Sequence, residues 1–233
     1  MNIVPFVKRI EAAYEDLGFE LGWRFLYGSA STLGPSTKLM FVGNNPGGDT
    51  YEAPTVSIEE GNAYRNEWWS AGRLGQEVRL LFNRIAEHLE PQIEGDALMD
   101  ATLVANFCPF RSKNWNKFPK EKKKQALEFS HNLWFDISQH LKPAVLICMG
   151  NLSFYHFREV FFKRGFQINS SVRKATGWGN YEYTLESLSL GSNELMILRL
   201  PHLAQFRIIS SNKCQAQSDE MIKTVANRLN KIN

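Results

Sequence analysis

The chain has 233 residues, 43% hydrophobic and 22% charged, with a net charge of +3 and a pI near 8.7. That balance fits a globular protein with a sizeable core and excludes a low-complexity chain. The mild basicity is compatible with a nucleic-acid partner without arguing for one, because a tight non-specific DNA binder is usually more basic.

In chain order, "MNIVPFVKRIEAAYEDLG" reads as an amphipathic helix and lacks the unbroken apolar core of a signal peptide. "KLMFVG" (38–43), "DATLVAN" (100–106) and "AVLICMG" (144–150) are short, apolar runs, the pattern of strands covered on both faces. "ELMILRL" (194–200) is a fourth. Between them, 72–90 spaces Val78, Leu81, Phe82, Ile85 and Leu89 at helical intervals. Further helices are expected at 119–141, 153–165 and 216–231. This alternation predicts a three-layer α/β/α fold around a mainly parallel four-stranded sheet. "YEYTLESLSL" (181–190), followed by "GSN" and the fourth strand, predicts a hairpin that adds an antiparallel edge strand. No repeat or linker interrupts the pattern, so a single domain over 1–233 and a monomer are expected. No apolar run reaches the ~18 residues of a membrane span. Cys108, Cys148 and Cys214 are odd in number and never spaced CxxC, which argues against a disulfide framework or cysteine-bound cluster and for a reducing, cytoplasmic setting. The histidines at 88, 131, 140, 156 and 202 show no HExxH-like spacing, so no metal and no cofactor are expected.

Ligands of open α/β sheets bind beyond the carboxyl ends of the strands. Here those ends carry Asn44-Asn45-Pro46-Gly47-Gly48, then "NFCPFRSKNWNKFP", then Gly150-Asn151, then Pro201-His202. Amides, an imidazole and aromatics gather at one rim, with only Asp49 and Glu52 as acids. Metal-dependent nuclease or phosphatase chemistry needs more carboxylates. "GNNPGG" is neither a dinucleotide fingerprint nor a Walker loop, and no GxSxG is present. An amide offers a donor and an acceptor on one plane, which suits a nucleobase edge.

These segments resemble the uracil-DNA glycosylase superfamily over most of the chain. "VGNNPGG" is similar to the Gly-x-Asn-Pro-Gly motif of the single-strand-selective and mismatch-specific branches. "LVANFCPF" with "NWNKFP" resembles the second-strand segment of the single-strand-selective branch, and "LICMG" its third strand. "LRLPHLAQF" stands where the final His-Pro-Ser motif falls, with Leu203 in place of Pro and Ala204 in place of Ser. "AGRLGQ" (71–76) resembles a segment of the iron–sulfur branch, whose cluster cysteines this chain lacks.

The resemblance implies a monofunctional glycosylase that removes uracil or a related damaged pyrimidine from DNA. It implies that Asn45 positions the attacking water, that Asn106 reads the uracil edge, and that His202 donates to the base O2. Gly43, Asn44, Pro46 and Gly47 then form the floor and Phe107 lines the pocket. An aromatic after the first motif stacks on the base, Tyr51, Tyr64, Trp68 or Trp69, and the "AGRLGQ" segment points to Trp69. Arg111 and Lys113 are candidate phosphate contacts, as is the run 119–125, and Phe206 falls at the site of the wedge that replaces a flipped base. Each residue also has a plainer reading: Asn45 and Asn106 as strand-end turn residues, Trp68, Trp69 and Phe206 as core, and the lysine run as a solvated helix start. The long connection 44–70 reads as lid or substrate reader. Two other functions fit the same residues: a catalytically silent nucleic-acid or nucleotide-binding protein of this fold, and an unrelated nucleotide-directed α/β enzyme.

Overall fold

A computed structural model describes residues 1–118 and 120–231. Pro119, the expected start of the long central helix, lies outside them. The parallel strands are β1 (Leu39–Gly43), β2 (Leu103–Asn106), β3 (Val145–Met149) and, after two further strands, β6 (Asn193–Leu200). β4 (Gln167–Ala175) and β5 (Glu182–Leu190) join antiparallel at one edge, so the order is β2-β1-β3-β6-β5-β4. The hairpin between β5 and β6 is present, turning at Gly191 with φ +59°.

The sheet among the described residues is thus six-stranded rather than the expected four with one addition. The extra strand is β4, "QINSSVRKA". It is exposed along almost its whole length, so no apolar pattern marks it in the sequence. It exists by pairing with β5. Its Lys174 bonds Glu220 at 2.5 Å, and charged, polar side chains suit an open sheet edge. The expected strand 100–106 also shortens: 95–100 form a helix, and β2 begins at Leu103.

Strand side chains alternate between two apolar layers, as the pleat demands. Phe41, Val104, Ile147 and Leu198 face one layer, with α2 (Ala63–Asn66), α3 (Arg73–Ala86), α4 (Gly95–Asp100) and α7 (Gln215–Asn230). Met40, Val42, Ala105, Leu146 and Ile197 face the other, with α1 (Val4–Asp16), α5 (Lys120–Ser138) and α6 (Asn151–Lys163). The expected helices are therefore present: α6 and α7 keep their expected lengths with bounds shifted by one or two residues, whereas α1, α3 and α5 are shorter by four or five residues. Among the described residues no helix is long and apolar enough to cross a membrane.

The connection after β1 is not loose. Residues 52–63 run beside 21–28 through backbone bonds that include Phe25 N to Thr55 O, Leu26 N to Val56 O and Ala63 N to Tyr27 O. Those bonds pin residues 52–63 of the connection to the body of the fold.

Phe41 is fully buried with Tyr64 and Phe82 edge-on at 5.7 and 5.8 Å. Phe41→Ala is expected to cost about 3–5 kcal/mol. Val172→Thr on exposed β4 should change stability by about 0.5 kcal/mol or less. Urea unfolding of the two variants checks both.

Candidate functional site

At the carboxyl ends of β1, β2 and β6 lies a cleft of about 860 Å³, within the roughly 300–1,000 Å³ typical of small-ligand sites. Asn45, Asn106 and His202 all line it, from three separate strand ends. Trp68, Trp69, Tyr27, Arg24, Arg111 and Trp115 contribute as well. A second hollow of about 810 Å³, at Asn83, Glu87 and 92–95, has no aromatic and no cation in its wall.

Asn106 follows from the strand alternation. Val104 faces the α3 layer and Ala105 the α5 layer, so Asn106 returns to the α3 side, where the cleft opens. Its neighbour in register is Gly43. A β-carbon at Gly43 would collide with Asn106 Oδ1, so glycine there is what lets the amide lie flat across β1. Asn106 Nδ2 donates to the Tyr27 hydroxyl at 2.8 Å, and the residue is only 7% exposed. Tyr27 is itself buried, which pushes its hydroxyl pKa up to about 12, so it stays a neutral phenol. The Arg24 guanidinium sits 4.9 Å from the Tyr27 ring centre and is held by Glu67 at 2.6 Å.

Asn45 is oriented by its surroundings. Its Nδ2 faces two backbone carbonyls, Pro46 O at 2.9 Å and Phe110 O at 3.4 Å, and donates also to Ser112 Oγ at 2.9 Å. Only the amide nitrogen can sit against carbonyl oxygens, so Oδ1 is left as an acceptor with no protein donor among the described residues. Asn44 also lines the cleft, but its Oδ1 accepts from Ser153 N at the start of α6, at 2.9 Å. It ties β1 to α6 at the point where strand order reverses, which makes it a structural strut.

His202 follows β6. Its Nδ1 accepts from Ala204 N at 3.3 Å, which assigns the ring proton to Nε2 in the neutral form. Burial pulls its pKa below the ordinary histidine value, so the neutral form holds at pH 7.

The aromatic wall is a cluster. Tyr27 stacks on Tyr64 at 5.8 Å, and Trp69 stands edge-on to both. Trp69 Nε1 donates to Glu67 Oε2 at 2.6 Å. Trp69 is therefore a fixed wall, whereas Trp68 beside it is 85% exposed at the mouth.

Several expected residues stand elsewhere. Phe107 does not line the cleft: alternation turns it to the α5 layer, where it is buried and stacks on His156 at 4.8 Å. Gly43 and Pro46 are buried and do not line the cleft. Phe206 is packed against the core layer of α3 and α7 with its ring 4.2 Å from Tyr181, and Gln205 lines the cleft in its stead. Arg111 is buried in the wall, bonded to Glu52 and to Gly47 O, so its charge is already engaged. Lys113 is exposed and pairs with Asp49 at 2.9 Å, each holding the other charged. In the lysine run, Lys122 bonds Gly18 O and Lys123 lies 5.0 Å from the Trp115 ring centre. Gly47, unlike Gly43 and Gly48 beside it, has open space where a side chain would stand.

Tyr27, Arg24 and Glu67 escaped the sequence reading because they come from outside the strand-end motifs. Also missed was a grouping of His131, His156 and Glu159 on the opposite face of the sheet. Its signal was present: His156 and Glu159 are three apart, one helical turn.

No protein-family model matches the chain, and no curated protein matches it in sequence.

Tyr27→Phe leaves the packing intact and removes the acceptor for Asn106 Nδ2. A cost of about 1–3 kcal/mol in ligand binding or stability is expected, measurable by unfolding and by ligand titration. For His202, a folded pKa below the unfolded value of about 6.5 means stability is fully present above that value and is lost as pH falls through it. Urea midpoints should therefore drop as pH is lowered from neutral towards 5, with a smaller slope in His202→Asn.

Proposed function

We propose that the chain is a monofunctional DNA glycosylase that removes uracil or a related damaged pyrimidine from DNA. The observation that carries this reading is the convergence of Asn45, Asn106 and His202 on one aromatic-walled cleft. The pyrimidine leaves the base stack and enters the cleft. Asn106 reads its edge, and Tyr27 sets the amide plane. A site built for one donor–acceptor pattern leaves its own groups unpaired with cytosine, which reverses that pattern. Asn45 Oδ1 accepts a hydrogen bond from the water that attacks the anomeric carbon. An amide takes no proton, so the step depends on orientation and on a base that departs well. His202 Nε2–H donates to O2 as negative charge grows there. Trp68, exposed at the mouth, is the ring available for stacking on the extruded base or its neighbour. The Asn45 motif carries no lysine to form a Schiff base, so the strand is left uncut. We take the chain to act as a monomer in the cytoplasm, where its three buried thiols stay reduced.

One observation favours the alternative, a catalytically silent nucleic-acid or nucleotide binder. The cations lining the cleft, Arg24, Arg111 and Lys113, are each paired with a carboxylate, which weakens their pull on phosphate.

Uracil release from a single-stranded oligonucleotide decides between the two. On the glycosylase reading, His202→Ala lowers the rate by about 10²–10³. Asn45→Ala also abolishes most release while oligonucleotide binding persists, and Asn106→Ala weakens both. Binding by the wild type with no release establishes the silent binder.

A further inference from the structure

On the face of the sheet away from the cleft, α5 and α6 bring His131, His156 and Glu159 together. His131 Nε2 lies 3.0 Å from His156 Nδ1 and 3.4 Å from Glu159 Oε2. All three ligand atoms lie within 4.8 Å of one another. A tetrahedral zinc ion with bonds of about 2.0–2.1 Å places its ligand atoms roughly 3.3–3.4 Å apart. The two shorter separations bracket that value, and the half-exposed Glu159 carboxylate has room to close the third.

We infer that His131, His156 and Glu159 form a Zn²⁺ site that clips α5 to α6, with solvent as fourth ligand on the Glu159 side. Two imidazoles and one carboxylate are a donor set for zinc, whereas Mg²⁺ and Ca²⁺ call for oxygen donors throughout. The rings are held for the purpose. Phe107 stacks on His156 at 4.8 Å and stands edge-on to His131 at 5.0 Å. The facing nitrogens share one hydrogen bond, which a zinc ion would replace, while His131 Nδ1 and His156 Nε2 are buried with no partner among the described residues. The neighbouring cation is Lys163, whose Nζ is 3.8 Å from Glu159 Oε1, an exposed pair of little strength that yields to a divalent ion. Binding would stiffen the seat of Phe107, the residue next to Asn106. The inference does not depend on the glycosylase reading.

The test is titration of chelator-treated protein with ZnCl₂ by calorimetry, alongside thermal unfolding. One Zn²⁺ per chain and a rise in Tm are expected, with no response to MgCl₂. Glu159→Gln changes an exposed side chain and keeps the fold, and it should bind zinc roughly tenfold or more weakly. His131→Gln should lose the Tm rise, and Lys163→Ala should bind at least as well as the wild type. Less than one equivalent bound at saturation overturns the inference, as does unchanged affinity in Glu159→Gln.

Discussion

The in-register pair of Gly43 and Asn106 is the constraint on which the cleft depends. Parallel pairing sets the two residues side by side at the ends of adjacent strands, and the missing side chain at Gly43 gives the Asn106 amide its space. Tyr27 then locks the amide from the other end. A one-residue slip would send Asn106 to the opposite layer and bring Phe107 into the cleft. In the observed register Val104 fills one apolar layer and Ala105 the other. Two neighbouring residues thereby serve opposite faces: Asn106 meets the cleft, and Phe107 seats the two histidines between α5 and α6.

The cleft's polar groups are half committed and half free. Asn45 commits its nitrogen to the wall and keeps its oxygen; His202 commits Nδ1 to a backbone amide and keeps Nε2; Asn106 commits one amide hydrogen to Tyr27. Each group is oriented before any ligand arrives, so little ordering is left to be done on binding. The charged residues behave otherwise. Arg24 and Arg111 act as internal struts, each tying a distant segment into the wall through a carboxylate. The result is a cleft lined by neutral hydrogen-bonding groups and aromatic surface, with its cations paired to carboxylates.

The parallel core, the hairpin and most helices were legible because their apolar periods are local and strong. β4 was not, because a strand wet on both faces carries no period and is held only by its partner. Asn45, Asn106 and His202 could be placed at the cleft because strand ends in such sheets share one rim, and Trp69 from the resemblance of the segment that follows it. Phe107 was placed on the wrong side although the period of two already separates it from Asn106. The pairing of Arg111 with Glu52 could not be read in advance, because the two lie 59 residues apart in sequence.

What the sequence by itself determined is therefore the layered fold and the rim on which chemistry gathers, since both follow from short-range periodicity and chain order. Only the tertiary structure decided which rim residues face the cleft as free groups and which are spent as struts. It alone also brought His131 beside His156 and Glu159. Those outcomes depend on contacts between segments far apart in the chain, where hydrogen-bond partners and neighbouring charges are set by packing and leave no local pattern to read.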